Sequence, residues 1–328
     1  MKAATSIAIA CLALGGGAGV APAQQMISAK AGLINVVEGQ AIVDGKPLVP
    51  KPSEFTQLKP GSLLETGEGR SEVLLSPGSY LRLSENSAIR MTSDRISDPH
   101  FEYVKGLILV QCDELMKDEA ITVTAGESKI ALVKRGNYEI GGEPATVKVF
   151  EGEARVDRGG QVQVVKKAQL LALDGVTVPQ KFDASRGDTL YRWARRRAEY
   201  LAVANYSAAN QLTNSRRSIN SNSWMWDPYY GMFTFIPYDG VVRSAFGLTF
   251  WSPRAYYQQI YIRPNAPAAA FGGGGVTAGG YTPRAATSMN TSGTAAAAVR
   301  SAPTTSSGAM SGHASAGRET GSAGARRK

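Results

Sequence analysis

The chain has 328 residues, of which 43% are hydrophobic, and 36 Lys and Arg against 27 Asp and Glu give it a net charge of +9. This length is sufficient for one or two domains, each with a hydrophobic core. Only two cysteines and two histidines occur, which argues against a metal centre and against nucleophilic catalysis. The composition therefore favours a protein with no catalytic residues, no cofactor and no metal.

Residues 1–23 have the pattern of a secretory signal peptide. Lys2 precedes a short apolar run, Ile7 to Leu14, and Ala21-Pro22-Ala23 is typical of a cleavage site. Cleavage there predicts an exported chain that starts at Gln24. The apolar run is too short to cross a bilayer, and the remaining sequence predicts no transmembrane span.

A lipoprotein signal is the alternative to cleavage after Ala23. A lipoprotein would carry its lipid on Cys11, but Ala8 stands where such proteins usually have a large aliphatic residue. If Cys11 is removed, Cys112 is the last cysteine and cannot form a disulfide within the chain. Cys112 continues the strand-like run GLILVQC, which favours a small buried hydrophobic residue over an intermolecular disulfide.

After a linker at 24–33, residues 34–178 alternate between apolar and polar positions. In SEVLL, Val73 and Leu75 fall on one face of a strand, and Glu72 falls on the other. Turn residues interrupt this pattern about every ten residues, which predicts a mainly β fold, an antiparallel sandwich or a β-helix-like stack. An α/β fold is disfavoured because no long helical pattern separates the strands.

The same alternation resumes after Pro77-Gly78, with Leu81 and Leu83 on one face and Tyr80 and Arg82 on the other. The predicted strands are Ile34–Glu38, Gln40–Val43, Ser62–Glu65, Ser71–Leu75, Ser79–Leu83, Ala88–Met91, Phe101–Val104, Leu107–Cys112, Ala120–Thr124, Ser128–Val133, Asn137–Ile140, Ala145–Glu151, Glu153–Asp157, Gln161–Val165 and Ala168–Leu173. The predicted turns include Glu38-Gly39, Asp44-Gly45, Thr66-Gly67, Arg158-Gly159-Gly160 and Asp174-Gly175.

Five motifs, in order, resemble the FecR domain, a periplasmic β domain first associated with iron-responsive regulation in Gram-negative bacteria. They are VVEGQAIVDG, LKPGSLLETGEGRSEVLLSPGSYLRLSENSAIRM, YVKGLILV, VKVFEGEARV and LLALDG, spread over residues 34–175. The resemblance implies a FecR-like fold in the periplasm or outer envelope of a Gram-negative-type bacterium.

Two departures limit what the resemblance implies. KRGNYEI has Asn137 where the family usually has Thr. A signal peptide also stands where iron-regulatory members have a cytoplasmic anti-sigma segment and a membrane helix. The resemblance therefore does not extend to signalling through a sigma factor.

Residues 183–215 change to helical spacing and predict a basic amphipathic helix capped by Asp188. Its apolar stripe comprises Leu190, Trp193, Ala194, Ala198, Leu201, Ala204 and Ala208. Residues 181–217 hold eight Lys or Arg and three Asp or Glu.

Four arginines in this helix are candidate contacts for an anionic surface. Arg192, Arg195, Arg196 and Arg197 lie beside aromatic residues, and lipid headgroups, lipopolysaccharide or cell-wall polymer would attract them. Nucleic acid is disfavoured for an exported protein. A helix face that is merely solvated is the alternative.

Residues 222–263 predict a small aromatic-rich module, with Phe233 to Ile236 as a short strand. Its aromatic residues either form a core against the helix or provide an exposed surface for carbohydrate or protein. The candidates for such a surface are Trp224, Trp226, Tyr229 and Tyr230. Residues 264–328 are Ala, Gly, Ser, Thr and Pro with scattered Arg, which predicts a disordered basic tail.

The remaining titratable residues give weak signals for chemistry. His100 follows Pro99 at a loop boundary and is predicted to lie at the surface. The pairs Asp113/Glu114 and Asp118/Glu119 flank a turn, which predicts solvated charges. An envelope hydrolase would need such groups to meet in a cleft.

These patterns together predict a non-catalytic, exported FecR-like protein that binds or scaffolds in the cell envelope, with an envelope protein or an anionic wall or lipid polymer as partner. Strand addition to a sheet edge and the basic helix are the two predicted routes. The alternative is a periplasmic sensor in an iron- or envelope-responsive signalling system. The sequence leaves the oligomeric state open.

Overall fold

The computed structural model describes residues 26–27, 30–49, 51, 54–115, 120–175 and 178–262. The predicted signal peptide and basic tail lie outside these residues. The strands are β1 Met26–Ile27, β2 Leu33–Val43, β3 Lys46–Pro47, β4 Leu63–Leu74, β5 Ser79–Leu83, β6 Ala88–Arg95, β7 Asp98–Lys105, β8 Leu107–Cys112, β9 Ile121–Ala125, β10 Ser128–Leu132, β11 Gly136–Gly141, β12 Thr146–Glu151, β13 Glu153–Arg158, β14 Gln161–Lys166, β15 Gln169–Ala172, β16 Gln180–Lys181, β17 Ser223–Asp227, β18 Met232–Ile236, β19 Val241–Arg243 and β20 Thr249–Trp251. The helices are α1 Thr189–Asn214 and α2 Pro253–Tyr257, and a π-helical turn follows at Gln258–Ile262.

Strands β2 to β16 form one 15-stranded sheet, and its residues enclose a single large apolar core. The pairs are antiparallel except β7 with β9, which is parallel. The mainly β prediction is confirmed. Predicted turns at Asp44-Gly45 and Gly159-Gly160 join β2 to β3 and β13 to β14.

Two predicted turns are instead irregularities inside long strands. Glu38-Gly39 lies within β2 and Thr66-Gly67 within β4, and the two strands pair along their length with a register shift between Gly39 and Ala41. Gly39 has a φ of +80°, and a Cβ atom there would clash with the carbonyl oxygen of Glu68. Glycine therefore permits a β-bulge and a close approach of the two backbones.

The central strands of this sheet are buried on both faces. On the inner face, Val73 and Leu81 join the large core. On the outer face, Leu74 and Tyr80 pack against α1 and strands β17, β18 and β20. The Trp224 ring of β17 contacts the Tyr80 ring at 5.1 Å between centroids. Residues 189–251 therefore form a second layer over the sheet.

Helix α1 begins where the sequence predicts its cap. The Asp188 carboxylate accepts a hydrogen bond from the Tyr191 amide at 2.8 Å, which satisfies one of the free N–H groups of the first turn. Every residue of the predicted apolar stripe is buried.

The β17–β18 hairpin is fixed to the rest of the molecule by two asparagine amides. Asn35 donates to the Phe233 carbonyl at 3.1 Å and accepts from the Phe233 amide at 2.8 Å. Asn205 of α1 donates to the Phe235 carbonyl at 2.8 Å and accepts from the Trp251 amide at 2.7 Å. These side chains satisfy backbone groups that a neighbouring strand would otherwise bind.

Candidate interaction surfaces

A buried ion network joins the outer face of the sheet to α1. Glu72 of β4 accepts from Arg197 Nη2 at 3.0 Å and from Arg82 Nε at 2.9 Å, and Asn35 donates to it at 2.9 Å. Burial would raise the pKa of Glu72, but Arg197 and Arg82 outweigh it and lower the pKa to about 2. Glu72 therefore stays ionised and holds the helix through charge-assisted hydrogen bonds.

The prediction that Arg197 contacts an anionic surface is wrong. Its side chain is buried and paired with Glu72. Arg197 lies three and four residues from Ala194 and Leu201, so it sits on the inward stripe of the helix. That spacing was visible in the sequence.

The network continues across the sheet to the aromatic segment. Arg82 Nη1 donates to Gln111 at 2.6 Å, and Gln111 Nε2 donates to both carboxylate oxygens of Asp113 at 2.8 and 2.7 Å. The amide of Ala245 donates to Asp113 at 2.9 Å. Burial raises the pKa of Asp113 to about 6, against the opposing effect of these hydrogen bonds.

The prediction that Asp113 and Glu114 are solvated turn charges is therefore wrong. Asp113 is buried, and Glu114 is half-buried and accepts from Asn222 at 3.0 Å. Both carboxylates lie beneath the second layer. Sequence patterns around residue 113 do not reveal this burial. Asp118 and Glu119 lie outside the described residues.

His100 and Cys112 occupy separate places in the sheet. His100 lies within β7, half-buried, with Nε2 2.8 Å from Thr124 Oγ1, and burial lowers its pKa. Cys112 is buried in the core at the end of β8, as predicted. Within the described ranges, no group of three or more His, Cys, Asp or Glu is arranged to hold a metal ion.

The other three predicted arginines lie on the exposed side of α1. Arg192 donates to the Gly187 carbonyl at 2.9 Å, and Arg195 lies 3.7 Å from Glu199. Arg196 is exposed and has no ion-pair partner among the described residues.

The four predicted aromatic residues are divided between core and surface. Trp224 is buried in the second layer beside α1, as the alternative of a core predicts, so its place on a possible exposed surface is wrong. Trp226 is half-buried and contacts the Phe55 ring at 4.9 Å between centroids. Tyr229 is 84% exposed, and its ring lies 4.9 Å from that of half-buried Tyr230.

Trp226 lines a groove of about 600 Å³ that runs along β2. We call this the aromatic groove; its walls include Val36, Val37, Val49, Phe55, Trp226 and Pro228. Three separate chain segments form these walls, so no local sequence pattern could predict them.

The groove lies beside a backbone edge of β2. On the side away from β4, the Ile34 amide donates to the Thr56 carbonyl, and the Ala41 carbonyl accepts from the Leu48 amide. Between these two points, no strand in the described part of the chain pairs with that edge. An unpaired strand edge next to an apolar groove is a site at which another extended segment can add.

No described helix combines the length and the apolar character needed to cross a membrane. The sequence matches no protein-family model and no curated protein.

Two crystal structures of a "putative anti-sigma factor" from Parabacteroides distasonis ATCC 8503, at 2.50 and 1.65 Å resolution, are similar in structure. The first has 14% identity and a TM-score of 0.33 over 38% of this chain and 61% of that chain. The second has 13% identity and a TM-score of 0.34 over 40% of this chain and 64% of that chain. The chain thus spans less than two thirds of either solved chain, and similarity at this level does not establish a shared activity or partner.

Proposed function

We propose that the protein is an exported, non-catalytic, FecR-like binding module of the cell envelope. In this proposal it accepts an extended segment of an envelope protein in the aromatic groove. The single observation that carries the proposal is the unpaired edge of β2 beside Trp226 and Phe55.

Strand addition would use two kinds of contact. The free backbone groups of β2 would supply hydrogen bonds that are independent of the partner's sequence. Alternate apolar side chains of the partner would enter the groove and pack against Phe55 and Trp226, whose aromatic rings provide large, rigid contact areas.

The turn between β17 and β18 presents an exposed tyrosine beside the groove. Tyr229 lies in the chain between Pro228 and Gly231, which both line the groove. The buried carboxylate of Asp227 accepts from the Tyr229 amide at 2.9 Å and from the Tyr230 amide at 3.1 Å, which fixes the shape of this turn. In the proposal, the Tyr229 ring covers one end of the bound segment.

The buried charges support a non-catalytic role. Glu72 is held by two arginines, and Asp113 is enclosed by Gln111 and the Ala245 amide. Catalysis by a carboxylate needs access to a substrate, whereas both of these groups bind the second layer of the protein itself.

A photo-reactive amino acid at Val49, in the groove, tests this proposal in intact cells. We expect a discrete cross-linked product from Val49. The matched control is the same substitution at Val104, an exposed valine on β7, a strand that has neighbours on both sides. Equal products from the two positions, or none from Val49, would contradict the proposal.

The identity of the cross-linked protein separates the scaffold from the sensor. A structural envelope protein supports scaffolding, whereas a membrane regulator or an outer-membrane receptor supports the signalling alternative. Sequencing the N-terminus of the recovered protein tests export: a start at Gln24 supports it, and a retained Met1 with cytoplasmic partners would refute it.

A further inference from the structure

The exposed stripe of α1 changes from basic to aromatic along the helix. Beyond Arg192 and Arg196 the same stripe carries Tyr200, Val203 and Tyr206, at the three- to four-residue spacing that places side chains on one helix face. At about 1.5 Å per residue, the stripe from Arg192 to Tyr206 is about 21 Å long.

The end of the described chain widens this stripe. The Tyr206 ring contacts the Tyr256 ring of α2 at 4.9 Å between centroids. The Tyr261 hydroxyl lies 3.5 Å from Asn214 Oδ1 at the end of α1. We call the exposed α1 stripe from Arg192 to Tyr206, together with the exposed side chains of 257–261, the helical face. Its large apolar side chains are each 37–56% exposed: Tyr200, Val203, Tyr206, Tyr257, Ile260 and Tyr261.

Positive charge lies at one end of the helical face and follows the other end of α1 in the sequence. Arg192, Arg195 and Arg196 stand at one end, and exposed Arg216 and Arg217 follow the other end of α1. Glu199 is the acidic residue on the exposed side of α1, and Arg195 pairs with it. Residues 264–328, which follow this surface in the sequence, add six Lys or Arg and one Glu.

We infer that the helical face binds an anionic phospholipid bilayer, with α1 parallel to the membrane plane. Arginine donors suit phosphate oxygens, and tyrosine places an apolar ring and a polar hydroxyl at the boundary between acyl chains and headgroups. A surface helix with basic residues and half-exposed apolar side chains is typical of interfacial binding. This inference is independent of the aromatic groove.

The test is sedimentation of the full chain without residues 1–23 with phosphatidylglycerol–phosphatidylcholine vesicles, and with phosphatidylcholine vesicles alone. We expect binding to the anionic vesicles that weakens steeply with salt. The variant Arg192→Glu, Arg195→Glu, Arg196→Glu should reduce the partition coefficient about a hundredfold or more, because each basic residue near an anionic surface contributes about fivefold.

The matched control reverses three exposed lysines of the β domain, Lys46→Glu, Lys59→Glu and Lys129→Glu, and changes the net charge equally. We expect its partition coefficient to stay within about threefold of the original chain, because these lysines lie outside the helical face. An equal loss in both triple variants would overturn the inference, since it would reflect net charge alone. Binding to lipopolysaccharide or wall polymer without binding to the anionic vesicles would also overturn it.

A spin label gives a second readout that does not depend on charge. A label at Val203→Cys should lose access to a water-soluble relaxation agent when anionic vesicles are added, whereas one at Val104→Cys, an exposed position of β7, should keep it. Equal access at both positions would overturn the inference. Because this experiment uses no partner protein, its outcome is separate from that of the groove.

Discussion

The two faces of the central strands are both buried, but by different physical means. The inner face packs Val73 and Leu81 into a continuous apolar core. The outer face buries Glu72, Arg82 and Gln111, which form hydrogen bonds with one another and with Arg197 of the second layer. Apolar burial tolerates many partners, whereas buried charge needs a specific one. The outer face therefore fixes where α1 must lie.

Breaking the ion network should have the largest effect on stability. Glu72→Ala leaves Arg82 and Arg197 buried without their counter-ion, and we expect a loss of about 3–5 kcal/mol in the free energy of unfolding. Urea denaturation followed by circular dichroism measures this loss.

An apolar replacement of the whole triad distinguishes the loss of a partner from the loss of volume. Glu72→Leu with Arg82→Met and Arg197→Met removes all three charges together, so most of the lost stability should return. A triple variant as unstable as Glu72→Ala would refute the charge-pairing account.

On the inner face, Leu81→Ala should reduce the free energy of unfolding by about 2–5 kcal/mol through the cavity it leaves.

Removing an asparagine amide should have an intermediate effect. Asn205→Ala leaves the Phe235 carbonyl and the Trp251 amide without this partner, at a cost of about 1–3 kcal/mol. The control Asn210→Ala, on the same helix but half-exposed, should change stability by less than about 0.5 kcal/mol. Thermal unfolding of both variants makes the comparison.

The pH dependence of stability should reveal the cost of burying Asp113. Its pKa rises from 3.8 in the unfolded chain to about 6 in the folded one, so the folded state binds the proton more tightly. The stability contributed by this group is therefore present below pH 3.8 and is lost as the pH rises through 6, by about 1–3 kcal/mol.

Asp113→Asn should remove that loss while its side chain can still accept from the Ala245 amide. Denaturation midpoints of the two proteins between pH 4 and 7 should converge at the acid end. Parallel pH profiles would contradict the assignment. Glu72 acts in the opposite direction, because its stabilisation is lost as the pH falls from 4.5 towards 2.

The smallest expected effect is at the helix cap. Asp188→Ala removes the acceptor for the Tyr191 amide and should cost about 1 kcal/mol. Asp188→Ser keeps an acceptor and should recover most of this loss, which thermal unfolding of the two variants measures. A cost as large as that of Glu72→Ala would mean that α1 is held mainly by its first turn and not by the network.

Local patterns predicted the strands, most turns and the helix cap. Period-two alternation correctly separated Val73 and Leu81 from Glu72 and Arg82, because side-chain direction in a strand is a local property. The cap at Asp188 and the strand at Phe233–Ile236 were also found, since both depend on neighbouring residues. The two false turns, at Glu38-Gly39 and Thr66-Gly67, arose because glycine marks bulges as well as turns.

The buried charges of the outer face and the aromatic groove depend on distant segments and were not predicted. A polar face on an antiparallel sheet normally meets water, so the burial of Arg82 and Asp113 follows only from the layer formed by residues 189–251. The burial of Arg197 could have been predicted from its spacing in the helix. The aromatic groove could not, because its walls come together only in the folded chain.

The charged outer face also affects how the sheet behaves before α1 packs on it. The strands of the large sheet precede α1 and the β17–β18 hairpin in the sequence, so they leave the ribosome first. Until α1 and the hairpin pack on it, the sheet presents Glu72, Arg82 and Gln111 to water beside the apolar side chains of Leu74 and Tyr80. Charged side chains oppose aggregation of exposed sheets, so we expect the same residues that later anchor the helix to limit association of the uncovered sheet.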